Sequence, residues 1–170
     1  ACLCNAGFSG PDGGPCAACV AGEYKAINGS SGCVGCSAGE YLNLTAGTAC
    51  VSCPSGNRSD TLQGSTDVSD CVCNAGYSGP DGGQCVACLS GEFKASNGSS
   101  ACERCSEGTY LNISGGTECV TCPSGNLSNS LKGSSEAEGC LCNAGYSGPN
   151  GGRCVACLPG TFKGVNGSSE

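Results

Sequence analysis

Residues 73–85 read CNAGYSGPDGGQC, and near copies occur at 4–16 (CNAGFSGPDGGPC) and 142–154 (CNAGYSGPNGGRC). Each copy starts 69 residues after the previous one, with nothing inserted or deleted between them. Loops of Gly, Ser and Asp usually tolerate length changes, so this strict register points to a constraint. Every cysteine keeps the same period. Cys2, Cys71 and Cys140 correspond, as do Cys4, Cys73 and Cys142, then Cys16, Cys85 and Cys154, then Cys19, Cys88 and Cys157. Cys33, Cys36, Cys50 and Cys53 recur as Cys102, Cys105, Cys119 and Cys122, and about three-fifths of residues 2–70 are identical to those at 71–139. The chain divides into a repeat over 1–70, a second over 71–139 and a partial third over 140–170.

Leu, Ile, Val and Phe supply only 24 of 170 residues, too few for a conventional core, whereas there are 20 cysteines and 31 glycines. Covalent closure must therefore replace apolar burial in opposing chain entropy. Such a cysteine density implies an oxidising compartment. Nucleic acid is a poor partner for a chain of net charge −7 with seven dispersed Lys and Arg. No stretch reaches the ~20 apolar residues of a membrane span. Nor does a signal-peptide pattern begin at Ala1, and the chain reads as a mature or internal piece of a longer array.

A shorter unit recurs inside each repeat: Cys-x-x-Gly and a closing Cys, with an aromatic in between except in 53–71 and 122–140, and with one or two residues separating units. The aromatics Phe8, Tyr24, Tyr41, Tyr77, Phe93, Tyr110, Tyr146 and Phe162 all fall four or five residues after an opening Cys. A ring covering the neighbouring disulfide would be each unit's one sizeable apolar contact. The simplest pairing closes each unit on itself. It joins Cys4–Cys16, Cys19–Cys33, Cys36–Cys50, Cys53–Cys71, Cys73–Cys85, Cys88–Cys102, Cys105–Cys119, Cys122–Cys140 and Cys142–Cys154. An interlocked pattern is the alternative, since sequence does not fix connectivity. Cys2 and Cys157 are left over, with partners beyond the segment or in another chain. Pro-Asp-Gly (80–82) and Pro-Asn-Gly (149–151) signal turns. The expected fold is small and disulfide-rich: an elongated tandem-repeat rod of short β-hairpins and irregular loops, with little or no helix, each unit contacting its neighbours.

Cys19, Gly22, Tyr24, Gly29, Ser30, Cys33 and Cys36, with their counterparts 69 positions later, resemble the ephrin-receptor-like cysteine-rich repeat. That module is a cousin of the tumour-necrosis-factor-receptor and EGF-like modules. Residues 71–79 resemble the second half of an EGF-like module, with a longer tail before Cys85 and without the acidic consensus of calcium-binding forms. The uniform tandem array also resembles mastigoneme-type filament glycoproteins, a resemblance that implies an extracellular structural role.

Seven Asn-x-Ser/Thr sequons occur, at Asn28, Asn43, Asn57, Asn97, Asn112, Asn126 and Asn166. They represent three independent positions, each retained wherever the repeat reaches it, which favours N-glycosylation over chance. The Ser/Thr-rich stretches 59–69 and 128–135 are compositional candidates for O-glycans. Cys16-Ala-Ala-Cys19 and Cys33-Val-Gly-Cys36 mimic a zinc ligand set. Assignment of these cysteines to the disulfide framework outweighs that reading and a redox one. No cofactor or metal is expected. Catalysis is disfavoured: His is absent, and Asp12 and Asp81 give way to Asn150 in the third copy, as turn chemistry permits. The sequence points to a structural subunit of an extracellular glycoprotein filament or surface or flagellar-hair fibre, whose partners are copies of itself. The competing reading is the stalk or ligand-binding ectodomain of a receptor or adhesin, and a third is an extracellular calcium or zinc store.

Overall fold

The computed structural model describes residues 2–168, so the outermost residues of the first and third repeats lie outside the described chain. Contacts divide it into two compact units, one of residues 1–74 with 79–86, the other of 75–78 with 87–170. Both are built the same way. Among the described residues there are eighteen strands of two residues each, paired into nine two-stranded sheets. Four single-turn 3-10 helices accompany them, at Gly56–Arg58, Val68–Asp70, Gly125–Leu127 and Ala137–Gly139. This is a small disulfide-rich fold of repeated hairpins.

The pairing shows why units are separated by two residues. Glu23–Tyr24 pairs antiparallel with Val34–Gly35, and Glu40–Tyr41 with Val51–Ser52. Thr109–Tyr110 pairs with Val120–Thr121 in the same manner. In these hairpins the outgoing strand carries the aromatic, and the return strand is the segment between one closing cysteine and the next opening one, so what reads in sequence as a spacer is half of the hairpin. Ser59–Asp60 and Ser128–Asn129 carry no aromatic, and their return strands, Val72–Cys73 and Leu141–Cys142, include the next opening cysteine.

Each hairpin is closed by one disulfide. These join Cys4–Cys16, Cys19–Cys33, Cys36–Cys50, Cys53–Cys71, Cys73–Cys85, Cys88–Cys102, Cys105–Cys119, Cys122–Cys140 and Cys142–Cys154, with Cα–Cα separations of 5.5 to 5.8 Å. Loops of this size contribute on the order of 3 kcal/mol each in a chain-entropy account. Cys2 and Cys157 carry free thiols. The apolar core consists of cysteines and little else: thirteen are buried, with Leu42 and Leu111 the only buried aliphatic residues beside them among the described residues.

The opening Cys-x-x-Gly is a turn. In residues 20–23 the Glu23 N–H donates to the Val20 carbonyl at 3.1 Å, and Gly22 holds φ +82°, the glycine-requiring corner of a type II turn. A Cβ on Gly22 would also fall within 3.0 Å of the Gly64 carbonyl. Gly7 stands in the same relation to Ala46, Gly76 to Gly115 and Gly91 to Gly133. The turn of one module therefore packs on the backbone of the next module but one, a closer stack than the nearest-neighbour contact expected from the sequence.

The Pro-Asp-Gly-Gly loop is fixed by the module before it. Gly82 N–H donates to the Cys71 carbonyl at 2.8 Å, and a Cβ there would meet the Val68 carbonyl at 2.9 Å. Ser55 clamps the loop's end: its Oγ accepts from Cys85 N–H at 2.7 Å and donates to the Gly83 carbonyl at 3.3 Å. Ser124 repeats this on Cys154 and Gly152. An inserted residue would break these contacts, so the constant loop length has a local cause inside the chain.

Candidate functional site: module junctions and the sequon-bearing surface

Successive modules join at one equivalent position, and it is buried in seven of them: Lys25, Leu42, Lys94, Leu111 and Lys163 directly follow an aromatic, while Thr61 and Ser130 follow Asp60 and Asn129. By contrast none of the aromatic rings, expected to be the main apolar contact, is fully buried: six are intermediate, Phe8 is 36% exposed and Phe162 90%. The reason is strand alternation: successive side chains point to opposite faces, and the inward face falls to the following residue.

The backbone connection is the same at successive junctions. Gly7 N–H donates to the Lys25 carbonyl at 2.9 Å, Gly22 N–H to Leu42 at 2.8 Å, and Gly91 N–H to Leu111 at 2.7 Å. The opening cysteines complete it, with Cys4 accepting from Gly29 N–H and Cys19 from Ala46 N–H. What differs is the side chain.

At the first kind of junction Lys25 is 3% exposed, and its ammonium donates back to the Phe8 carbonyl at 2.7 Å and to the Gly29 carbonyl. Lys94 makes the equivalent bonds to Tyr77 and Gly98. Lys163 bonds Tyr146 at 2.8 Å, Gly167, and Cys142 at 3.4 Å. A buried ammonium is costly unless its donors are used, and here they tie two modules and a loop together. At the second kind Leu42 and Leu111 lie against Gly47 and Gly116, where a Cβ would collide with the leucine side chain. At the third, Thr61 Oγ accepts from Gly39 N–H at 3.1 Å and donates to the Glu40 carbonyl at 3.1 Å. Ser130 Oγ donates to the Thr109 carbonyl at 2.8 Å. Nothing in the residue type marks Lys25, Lys94 and Lys163 as buried; their 69-residue spacing is the one available signal.

All seven sequon asparagines are exposed. Three belong to the lysine junction: the Oδ1 atoms of Asn28, Asn97 and Asn166 accept from the N–H groups of Ala6, Ala75 and Ala144 at 2.8, 2.9 and 3.0 Å. Asn43 and Asn112 lie in the loop after the leucine position, and Asn57 and Asn126 within 3-10 turns. The cysteines of the zinc-like pattern enter three separate disulfides, Cys16 with Cys4, Cys19 with Cys33 and Cys36 with Cys50. No cluster of three His, Cys, Asp or Glu residues suited to a metal occurs among the described residues. Asp67 caps the turn at Val68–Asp70, and bonds from the Ser69 N–H and hydroxyl hold its carboxyl below the ordinary carboxylate range. No helix among the described residues is long and apolar enough to cross a membrane.

Hairpins each closed by their own disulfide, and locked to the next through the opening cysteine, define a tandem cysteine-rich repeat protein. Residues 22–71 and 76–117, just over half of the chain, match the family described as tyrosine-protein kinase ephrin type A/B receptor-like, and the chain belongs to that family. No curated protein matches it. Its nine disulfides and this family together fit an extracellular or cell-surface protein with a structural or ectodomain role.

Proposed function

We propose that the chain is a structural segment of an extracellular glycoprotein filament or surface fibre, N-glycosylated at its seven sequons and non-catalytic. One observation carries this reading: the same outward positions are apolar in successive repeats. Val20, Leu89 and Leu158 are 59%, 68% and 74% exposed, and Leu62 and Leu131 are 84% and 80% exposed. A surface repeated at the chain's own period suits contact with further copies bearing the same period, and contacts that do not close on themselves give filaments. The hairpin linkers lend support, because no free spacer interrupts the hydrogen-bonded junctions within either unit. Membership of a receptor-like family favours a second reading, the stalk or ligand-binding ectodomain of a receptor or adhesin.

Electron microscopy and sedimentation of the secreted protein test the choice. Fibres with regular cross-contacts are the expected result, and they should be lost in the double variant Leu62→Glu, Leu131→Glu. Single particles at every concentration, unchanged by that variant, would favour the stalk.

A further inference from the structure

The three sequon positions differ in how far folding closes them. At Asn126-Leu127-Ser128 the backbone is engaged throughout. The Asn126 carbonyl accepts from Asn143 Nδ2 at 3.0 Å, and the Leu127 carbonyl accepts from Asn143 N–H at 3.0 Å. Ser128 pairs with Cys142 across the hairpin and is 4% exposed, its hydroxyl turned to the Gly125 carbonyl. The earlier copy is alike: Asn57 accepts from Asn74 Nδ2 at 3.1 Å, Arg58 from Asn74 N–H at 2.9 Å, and Ser59 is 4% exposed and paired with Cys73. The sequons at Asn43 and Asn112 keep both ends open, with the asparagine and the hydroxyl residue, Thr45 or Ser114, exposed. At Asn28, Asn97 and Asn166 the hydroxyl residue is exposed while Oδ1 is held.

We propose that Asn57 and Asn126 are acceptors only before their modules close, so that occupancy there records the order of glycan transfer and disulfide formation. Asn43 and Asn112 remain acceptors in the folded chain. This rests on the glycoprotein reading above. The transfer joins asparagine Nδ2 to the anomeric carbon of a lipid-diphosphate-linked oligosaccharide. The carbon–oxygen bond to the diphosphate breaks, the lipid diphosphate leaves with the electron pair, and one amide proton is lost to base. Recognition spans the asparagine and the hydroxyl two residues on, and at 57 and 126 the fold takes the second of these away. At 28, 97 and 166 the retained Oδ1 bond is compatible with a sugar on Nδ2, because the amide oxygen is not consumed.

The test is glycopeptide mapping of the full chain secreted from a eukaryotic host, with and without dithiothreitol in the medium to delay disulfide closure. Asn112 and Asn126 are the decisive pair, since both sequons end in Ser and lie in the same repeat. Occupancy at Asn126 and Asn57 should be several-fold below that at Asn112 and Asn43, and should rise with the reductant while the latter pair stays level. The variant Cys53→Ala, Cys71→Ala should raise Asn57 alone, with Asn126 as internal reference. Equal occupancy at Asn112 and Asn126, unmoved by reductant, overturns the inference while leaving the glycoprotein reading in place. Bare asparagine at all seven sites, Asn43 and Asn112 included, overturns both.

Discussion

The junctions made by Lys25 and Leu42 share one backbone design and two chemistries. In each, a turn glycine donates to the carbonyl of the buried residue, and an opening cysteine accepts from the following loop. One junction is then sealed by an ammonium among carbonyls, the other by an isobutyl group over Gly47. The difference teaches that the backbone sets how modules stack, while the buried side chain sets how each junction is sealed. The ammonium uses the Phe8 carbonyl of the preceding module and the Gly29 carbonyl of its own, whereas the leucine packs on a glycine of its own module.

Removing what the two junctions share should do most damage. Gly22→Val places a branched side chain at φ +82° against the Gly64 carbonyl. It should cost roughly 3 kcal/mol or more from left-handed strain and overpacking together. Oxidative refolding yield should collapse; yields equal to the parent would break the shared-backbone account. Next comes Leu42→Ala, at about 2–4 kcal/mol for lost burial and the space left behind. Denaturant unfolding with disulfides intact should show it.

Lys25→Met should cost about 2 kcal/mol, because it strands carbonyls that the ammonium satisfied. Amide exchange at Gly7 and Gly29 should quicken. The exchange Lys25→Leu with Leu42→Lys sharpens the comparison, since each side chain meets the wrong surroundings. If the swapped chain matches the parent, the two buried chemistries are interchangeable and the comparison fails. Asn28→Ala is milder, about 1 kcal/mol for one hydrogen bond, and should be seen as faster exchange at the Ala6 amide.

The smallest effect concerns the 3-10 turn that Asp67 caps. Its counterpart Glu136 makes no side-chain cap bond. Because the folded Asp67 carboxyl is held below its ordinary value, its contribution is complete above the unfolded value and disappears as pH falls through the lowered one. Amide exchange at Ser69 should accelerate in acid relative to the equivalent turn at 137–139, and Asp67→Asn should narrow that difference.

The repeat, its hairpins and their disulfide-rich character were legible in the sequence because a cysteine marks each end of a unit and glycine marks each turn. Those residue types have few substitutes: a left-handed corner or a close backbone approach excludes a Cβ, and only thiols form the closing bond. The burial pattern was not legible. Aromatics are the obvious apolar candidates, yet the inward face of a two-residue strand is decided by its register with the return strand, which puts Lys25 and Leu42 inside and leaves Phe8 partly outside. The constant length of the 73–85 loop was visible as a fact, but its cause lay in contacts with Ser55 and Val68, some thirty and fewer residues upstream in a separate module. Local chemistry thus determined each ring. Only the stacked structure decided what the rings enclose, because burial and hydrogen-bond satisfaction are properties of neighbours that the chain brings together after folding.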